Sequence, residues 1–475
     1  MTKERVHFVA IGGTGMGSLA GLLKARGVEV TGSDRALYPP MSTALEGWGI
    51  PVTLGFDPAH VEEDPPDLVV IGNAVRPDNP EARAAIDAGL AYRSFSDALY
   101  ERAIAGRHSV VVTGTHGKTT TTSLIAVLLE KTGRDPSFLV GGISLDFEGS
   151  FREGGGEHFV VEGDEYDTAF FDKTPKFLHY HPRTLILTSV EFDHADIYRD
   201  LDHVKSAFRE LVAGMPADGT LVAAWDHEGV RDVVEEAPCR LVRYGLDADA
   251  HSGPDWRADE IRVHSDGTEF RVAAPGRAPV TTRTSLFGRF NVENALGALA
   301  ALDALGVPLD EAAAALPAFR GVKRRQEIRG VANGITVVDD FAHHPTAVAG
   351  SIESLRVRFP EARLVAVFEP RTNTSRRRIF QDDYTQALLG ADRVVVKCVP
   401  DEPIYSATGE VTEFFSAAEL AESLRARGVP CDVFDTVDEI VADRVRDHRA
   451  GDVVLVMSNG DFDNIWEKLL AALRT

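Results

Sequence analysis

Short apolar runs alternate with amphipathic stretches along this chain, and the alternation repeats in three blocks. The first block opens with an apolar run at 6–11, a cluster of glycines at 12–17 and a helical pattern to residue 25. Further strand-like runs follow at 28–31 and 68–71. The second block begins with the β-branched run 109–112, then a helix over 120–131 and buried-type runs at 159–161 and 184–188. Between 240 and 283 the period drops to two, as at 260–264 and 268–273, which predicts an antiparallel insertion or edge. The alanine-rich stretch 294–305 reads as a closely packed helix. In the third block, strands at 336–339, 363–368, 393–396 and 453–457 alternate with helices such as 417–427. Repeated strand–helix units predict parallel sheets with ligands at the strand C-termini.

The expected architecture is α/β in three domains. Residues 1–107 form a Rossmann-like domain, 108–321 a central P-loop ATPase-type domain with a parallel sheet and an antiparallel insertion, and 322–475 a second Rossmann-like domain. Short linkers place the hinges near 107 and 322. A length of 475 residues agrees with about three domains. The net charge of −23 argues against a nucleic-acid surface. Cys239, Cys398 and Cys431 are far apart and form no C-x-x-C, so neither a disulfide framework nor a zinc site is expected. Lys3, Glu4 and Arg5 precede a short apolar run that ends in glycines, a first strand rather than a signal peptide. No run approaches ~20 apolar residues, so no membrane partner and a cytoplasmic location are expected.

The most informative segment is T-G-T-H-G-K-T-T-T-T at 113–122, between a strand and a helix. Small residues let successive backbone N–H groups curl around anionic oxygens, and the helix N-terminus adds positive potential. Gly114, Thr115, His116, Gly117 and Thr120 line such a loop. Lys118 reaches the outer phosphates and the Thr119 hydroxyl suits Mg²⁺. Val112 stands where the usual loop has its first glycine, so the loop is shortened. E-G-D-E at 162–165 follows a strand, which suits Glu162 to hold Mg²⁺. E-F-D-H-A-D at 191–196 follows another, and its His194 either binds a second ion or hydrogen-bonds locally. The turn at Ala10, Gly12 and Gly15, with Asp34 after the second strand, weakly suggests a dinucleotide fold. Asn291 and Asn294 suit either adenine recognition or the capping of the following helix.

Taken together, T-G-T-H-G-K-T, E-G-D-E, D-H-A-D, G-R-F-N-V-E-N at 288–294, the Arg324–Arg325 pair and D-D-F-A-H-H-P at 339–345 resemble the Mur ligases, in order and over essentially the whole chain. That resemblance implies an ATP-dependent, ADP-forming ligase acting on UDP-N-acetylmuramate. The stretch E-G-D-E-Y-D-T-A-F-F-D-K at 162–173, then K-F-L-H-Y, F-E-P-R-T-N-T and M-S-N-G-D-F, leans toward the branch that adds the murein tripeptide L-alanyl-γ-D-glutamyl-meso-diaminopimelate. The alternative is the L-alanine-adding branch. Outside these lie a folylpolyglutamate synthetase-like enzyme, which lacks such an N-terminal block, and an ATP-driven switch with no ligase chemistry.

The resemblance further implies roles. Lys118 neutralises the β/γ-phosphates. Thr119 and Glu162 hold one Mg²⁺, and Glu162 and His194 a second. Arg325 adds positive charge to the γ-phosphate when the third domain closes. Asn291 and Asn294 meet adenine, and Asp340 the ribose or the hinge. Gly13, Thr14, Gly15 and Met16 receive the UDP diphosphate, with Ser33, Asp34 and Asn73 nearby. Arg371 pairs with a diaminopimelate carboxylate, and His343 lies near the reacting centre. A monomer or weak homodimer is expected. Ser189 stands where the family usually has Asn, and Asp461, Asp463 and Asn464 where the peptide branch has glycines. Lys205 is poorly spaced for the carbamylated lysine of several relatives, and no carbamate is expected.

Overall fold

The computed structural model describes residues 3–246, 253–398, 404 and 406–474. Residues 247–252, inside the stretch expected to be an antiparallel insertion, lie outside the described residues. Three sheets follow one another along the chain. The first is wholly parallel, in the order β3-β2-β1-β4-β5, from β1 (Arg5–Val9), β2 (Glu29–Asp34), β3 (Val52–Leu54), β4 (Leu68–Ile71) and β5 (Tyr92–Ser94). Its glycine turn leads into the helix Thr14–Ala25 at the C-terminal end of β1.

The second sheet has ten strands, β6 (His108–Thr113), β7 (Ser137–Ser144), β8 (Gly149–Arg152), β9 (His158–Gly163), β10 (Thr184–Leu187), β11 (Thr220–Ala224), β12 (Arg240–Gly245), β13 (Trp256–His264), β14 (Gly267–Ala273) and β15 (Val280–Thr284). Strand β6 sits between β9 and β10, parallel to both. The loops after all three therefore converge on one edge. Strands β13 to β15 run antiparallel, as the period-two pattern predicts. The helix Lys118–Lys131 is buried from Thr119 to Leu129, as a helix packed between a sheet and another helix must be. Its neighbour is the helix Arg289–Ala304, which starts five residues before the expected residue 294.

The third sheet is β16-β17-β21-β18-β19-β20, from β16 (Glu327–Ala332), β17 (Ile335–Asp340), β18 (Leu364–Phe368), β19 (Arg393–Lys397), β20 (Cys431–Phe434) and β21 (Val453–Met457). Only β16 is antiparallel to its neighbour. The domains dock through specific contacts. Helix Thr14–Ala25 lies on the β7–β8 hairpin, where a Cβ on Gly21 would sit 2.5 Å from the Phe151 ring and Ser18 Oγ meets Ser150 Oγ at 2.6 Å. Asp97 of the first domain pairs with His179 of the second at 2.8 Å.

Candidate active site

Between the central and C-terminal domains lies a cleft of about 670 Å³. Its lining includes the loop 115–120, Glu162, His194, Asn291, Asn294, Arg325, Asp340 and His343. The loop is formed by two left-handed glycines. Gly114 has φ +131° and Gly117 φ +79°. A Cβ on Gly114 would stand 2.3 Å from Thr188 Oγ1, and one on Gly117 2.5 Å from Asn294 Oδ1. The segment just after β10 holds the loop. Thr115 N donates to Ser189 O at 3.0 Å, and His116 N to Ser189 Oγ at 2.9 Å. Ser189, the departure noted above, thus ties down the loop directly. The helix begins at Lys118 with no side-chain cap, so its first-turn amides, including those of Thr119 and Thr120, are oriented for an anion.

Four acidic and basic groups cluster at the loop, Glu165 buried and Lys118, Glu162 and His194 half-buried. Lys118 Nζ lies 2.8 Å from Glu165 Oε2 and 2.7 Å from Gly114 O. Burial alone would lower its pKa, but Glu165, Asp164 and Glu162 raise it, so the ammonium stays charged. His194 Nε2 meets Glu165 Oε1 at 2.8 Å. Burial opposes its protonation, yet Asp193 and Glu165 push its pKa up to about 9. Thr119 Oγ1 and Gly141 N donate to Glu162, at 3.0 and 2.8 Å. Burial raises the pKa of Glu162 against the pull of Lys118. Of the three expected metal ligands, Thr119 and Glu162 therefore stand together, while His194 is taken up by Glu165.

The Thr119 hydroxyl and the half-buried Glu162 carboxylate offer hard oxygens, a donor set that suits Mg²⁺. His194 can join them only by releasing Glu165 and losing its proton. Glu165 itself, 3% exposed, is the residue that sequence reasoning passed over. The acid-rich E-G-D-E quartet was its only signal. Asp164, held down to about 2 against burial by Lys176 and Lys118, pairs with Lys176 at 2.6 Å.

The C-terminal domain supplies the opposite wall. Arg325 Nη2 donates to Thr119 Oγ1 at 3.2 Å, and its guanidinium stacks 4.8 Å from the Phe341 ring centre. Asp340 accepts from Ala342 N at 2.7 Å and Gln326 N at 3.0 Å, so it fixes the turn that carries Arg325. Arg324 and Gln326 in that turn have positive φ. His343 Nε2 lies 3.8 Å from Asp193 Oδ2. Asn291 and Asn294 sit inside their helix, not at its cap, and both face the cleft. Asn291 Nδ2 donates to Phe287 O at 2.8 Å and Asn294 Nδ2 to Asn291 Oδ1 at 3.3 Å.

Outside the cleft, the expected donor-site residues gather at the glycine turn. Asp34 Oδ2 accepts from Gly12 N at 2.7 Å and so shapes the turn. Gly13 has open space around its Cβ position, and Thr14 and Gly15 start the helix. Met16 is buried in the core, which leaves only its backbone to face a ligand. Ser33 Oγ donates to the buried Glu81 at 2.8 Å, away from the turn's surface. Asn73 is exposed just beyond β4. Arg371 Nη1 lies 3.1 Å from Asp461 Oδ1, both largely exposed. Lys205 pairs with Asp232 at 2.7 Å.

A phosphate loop whose helix faces an arginine from a third domain, behind an N-terminal nucleotide-type sheet, is the layout of an ATP-driven ligase of three domains. Family models agree along the chain: the Mur ligase family catalytic domain matches residues 5–107, the Mur ligase middle domain 112–302, and the Mur ligase glutamate ligase domain 324–460. The chain belongs to the Mur ligase family. It is 39% identical over 470 residues to the UDP-N-acetylmuramate–L-alanyl-γ-D-glutamyl-meso-2,6-diaminoheptandioate ligase of Escherichia coli K12, covering 99% of this chain and 98% of that protein. The crystal structure of a murein peptide ligase from Psychrobacter arcticus is 36% identical with a TM-score of 0.73, over 99% of both chains. That of the UDP-N-acetylmuramate-alanine ligase from Thermotoga maritima is 27% identical with a TM-score of 0.78, over 98% of both. Among the described residues, no helix is long and apolar enough to cross a membrane.

Proposed function

We infer that this chain is an ADP-forming ligase that joins L-alanyl-γ-D-glutamyl-meso-diaminopimelate to the lactyl carboxylate of UDP-N-acetylmuramate. The observation that carries the reading is 39% identity to a ligase of that specificity over 99% of this chain. A carboxylate is a poor electrophile, and amide formation is uphill in water. Transfer of the γ-phosphoryl group of ATP to the lactyl oxygen gives an acyl phosphate and ADP. The peptide α-amine then attacks the acyl carbon, and phosphate leaves.

The first step brings two anions together, so positive charge must be fixed in place beforehand. Lys118 supplies it at the β/γ-phosphates after leaving Glu165, and Arg325 from the far wall. Thr119 and Glu162 would hold Mg²⁺, with His194 as a further ligand. The ion would neutralise phosphate charge. Asn291 and Asn294 present amides to the adenine end. In the N-terminal domain, the open turn at Gly13, Thr14 and Gly15 would receive the UDP diphosphate. In the C-terminal domain, Arg371 would hold an acceptor carboxylate, and His343 would stand by the reacting centre. An aqueous cellular compartment rich in ATP, the cytoplasm, suits this chemistry.

A second reading, L-alanine as acceptor, is favoured by the higher backbone similarity to the alanine ligase. Phosphate release with UDP-N-acetylmuramate, ATP and either acceptor separates the two. The tripeptide is expected to support turnover and L-alanine only a small fraction of it. Equal or faster turnover with L-alanine would reverse the assignment.

A further inference from the structure

We propose that His116, Glu191 and His344 form a site for one zinc-class divalent ion that bridges the central and C-terminal domains. His116 comes from the phosphate loop, Glu191 from the loop after β10, and His344 from the start of the helix Pro345–Arg358. Their ligand atoms all lie within 4.8 Å of one another. His116 Nε2 is 3.3 Å and His344 Nδ1 3.7 Å from Glu191 Oε2. Donors around a tetrahedral ion with bonds of about 2.0–2.2 Å stand roughly 3.3–3.6 Å apart, so the trio needs only small adjustments.

The chemistry of the set points the same way. Two imidazoles and one carboxylate suit zinc, cobalt or nickel and are poor for Mg²⁺, which wants oxygens. The set shares no residue with Thr119, Glu162 and His194. His344 Nε2 lies 3.2 Å from Phe192 O, so its N–H is donated to a backbone carbonyl and Nδ1 keeps its lone pair. Metal-bound histidines are commonly fixed in this way. His344 is buried, and burial with the neighbouring His116 pushes its pKa down to about 4, so the ring is neutral as a ligand must be. Two bonds from Thr346 compete with an ion, besides the His116–Glu191 hydrogen bond that the ion would replace. Thr346 N donates to His344 Nδ1 at 3.3 Å, and Thr346 Oγ1 to Glu191 Oε2 at 2.7 Å. The first is long, and the second leaves the carboxylate's other lone pairs for the ion.

Because His344 belongs to one domain and the other two ligands to its neighbour, an ion here fastens the cleft shut. The test uses the full chain, stripped of metal by chelator and held in excess Mg²⁺, with Co²⁺ as probe. One equivalent of Co²⁺ with visible d–d absorption is expected, and Zn²⁺ should displace it. His344→Ala and Glu191→Gln should each weaken binding by at least about tenfold, while Glu162→Gln retains it. His116→Ala serves if circular dichroism shows that His344→Ala does not fold. No d–d absorption in the wild-type chain, or equal Co²⁺ affinity in the folded His344, Glu191 and His116 variants, would overturn the proposal.

Discussion

Replacing Arg325 probes the contact on which closure of the cleft depends. Its guanidinium spans the domain boundary, hydrogen-bonded to Thr119 and stacked on Phe341. The hydrogen bond to Thr119, which crosses the boundary, contributes about 1 kcal/mol, while the cation–π contact with Phe341 lies within the C-terminal domain and contributes about 1–2 kcal/mol to the fold there. Arg325→Ala therefore removes about 1 kcal/mol from the closed arrangement. In the proposed role at the γ-phosphate its charge would add more in the transition state, by analogy about 2.7–4 kcal/mol for one preorganised donor. The expected outcome is a fall in kcat of about 10²–10³-fold, with KM for ATP changed by less than about tenfold, since Lys118 and the loop still hold the nucleotide. Arg325→Lys keeps the charge but not the fork or the stacking plane, so its rate should fall between the two. Initial rates of ADP release at varied ATP, with saturating UDP-N-acetylmuramate and tripeptide, measure both constants. A kcat within about twofold of wild type in Arg325→Ala would refute the reasoning, because no preorganised charge contributes so little.

Three further outcomes follow from individual contacts. Gly117→Ala should sharply weaken ATP binding, measured by calorimetry, because φ +79° costs about 1–2 kcal/mol for a non-glycine residue and the new Cβ would press on Asn294 Oδ1 at 2.5 Å; wild-type affinity would contradict the loop geometry. His179 is half-buried, which lowers its pKa, but Asp97 more than offsets this and raises it above the ordinary 6.5. Its stabilisation is thus complete below pH 6.5 and lost as pH rises through the folded value. His179→Gln should flatten that part of the Tm–pH curve, and an unchanged slope would remove the Asp97 pair from the first domain boundary. Asp461→Ala removes an exposed ion pair that contributes at most about 1 kcal/mol, leaving Tm near wild type, while freeing Arg371 should lower KM for the tripeptide about two- to fivefold. A higher KM would take Arg371 out of the acceptor site.

The three-block α/β order was readable because strands such as β4 and β21 are apolar runs with clear ends. Strand β7 was not. Its Gly141 and Gly142 look like a turn in sequence, yet they are small because Glu162 and Thr119 press on them, with would-be Cβ contacts of 3.0 and 2.9 Å. The helix at 289–304 began earlier than its alanines suggested because F-N-V-E-N carries no apolar period. Its asparagines serve the cleft, so their polarity masked the helix. The phosphate loop was legible, since a strand, two glycines and a lysine are contiguous. The pairing of Glu165 with both Lys118 and His194 was not, for it joins three segments distant in sequence. Nor could sequence reveal that Ser33 turns toward the buried Glu81 or that Asp34 is spent on Gly12 N. Side-chain direction at the end of a strand is decided by packing, not by motif.

The most direct test of the ligase account is the fate of a carboxylate oxygen. UDP-N-acetylmuramate labelled with ¹⁸O in its lactyl carboxyl group, turned over with ATP and tripeptide, should yield inorganic phosphate carrying one labelled oxygen per amide formed. Unlabelled phosphate alongside amide product would contradict phosphorylation of the acid in this cleft.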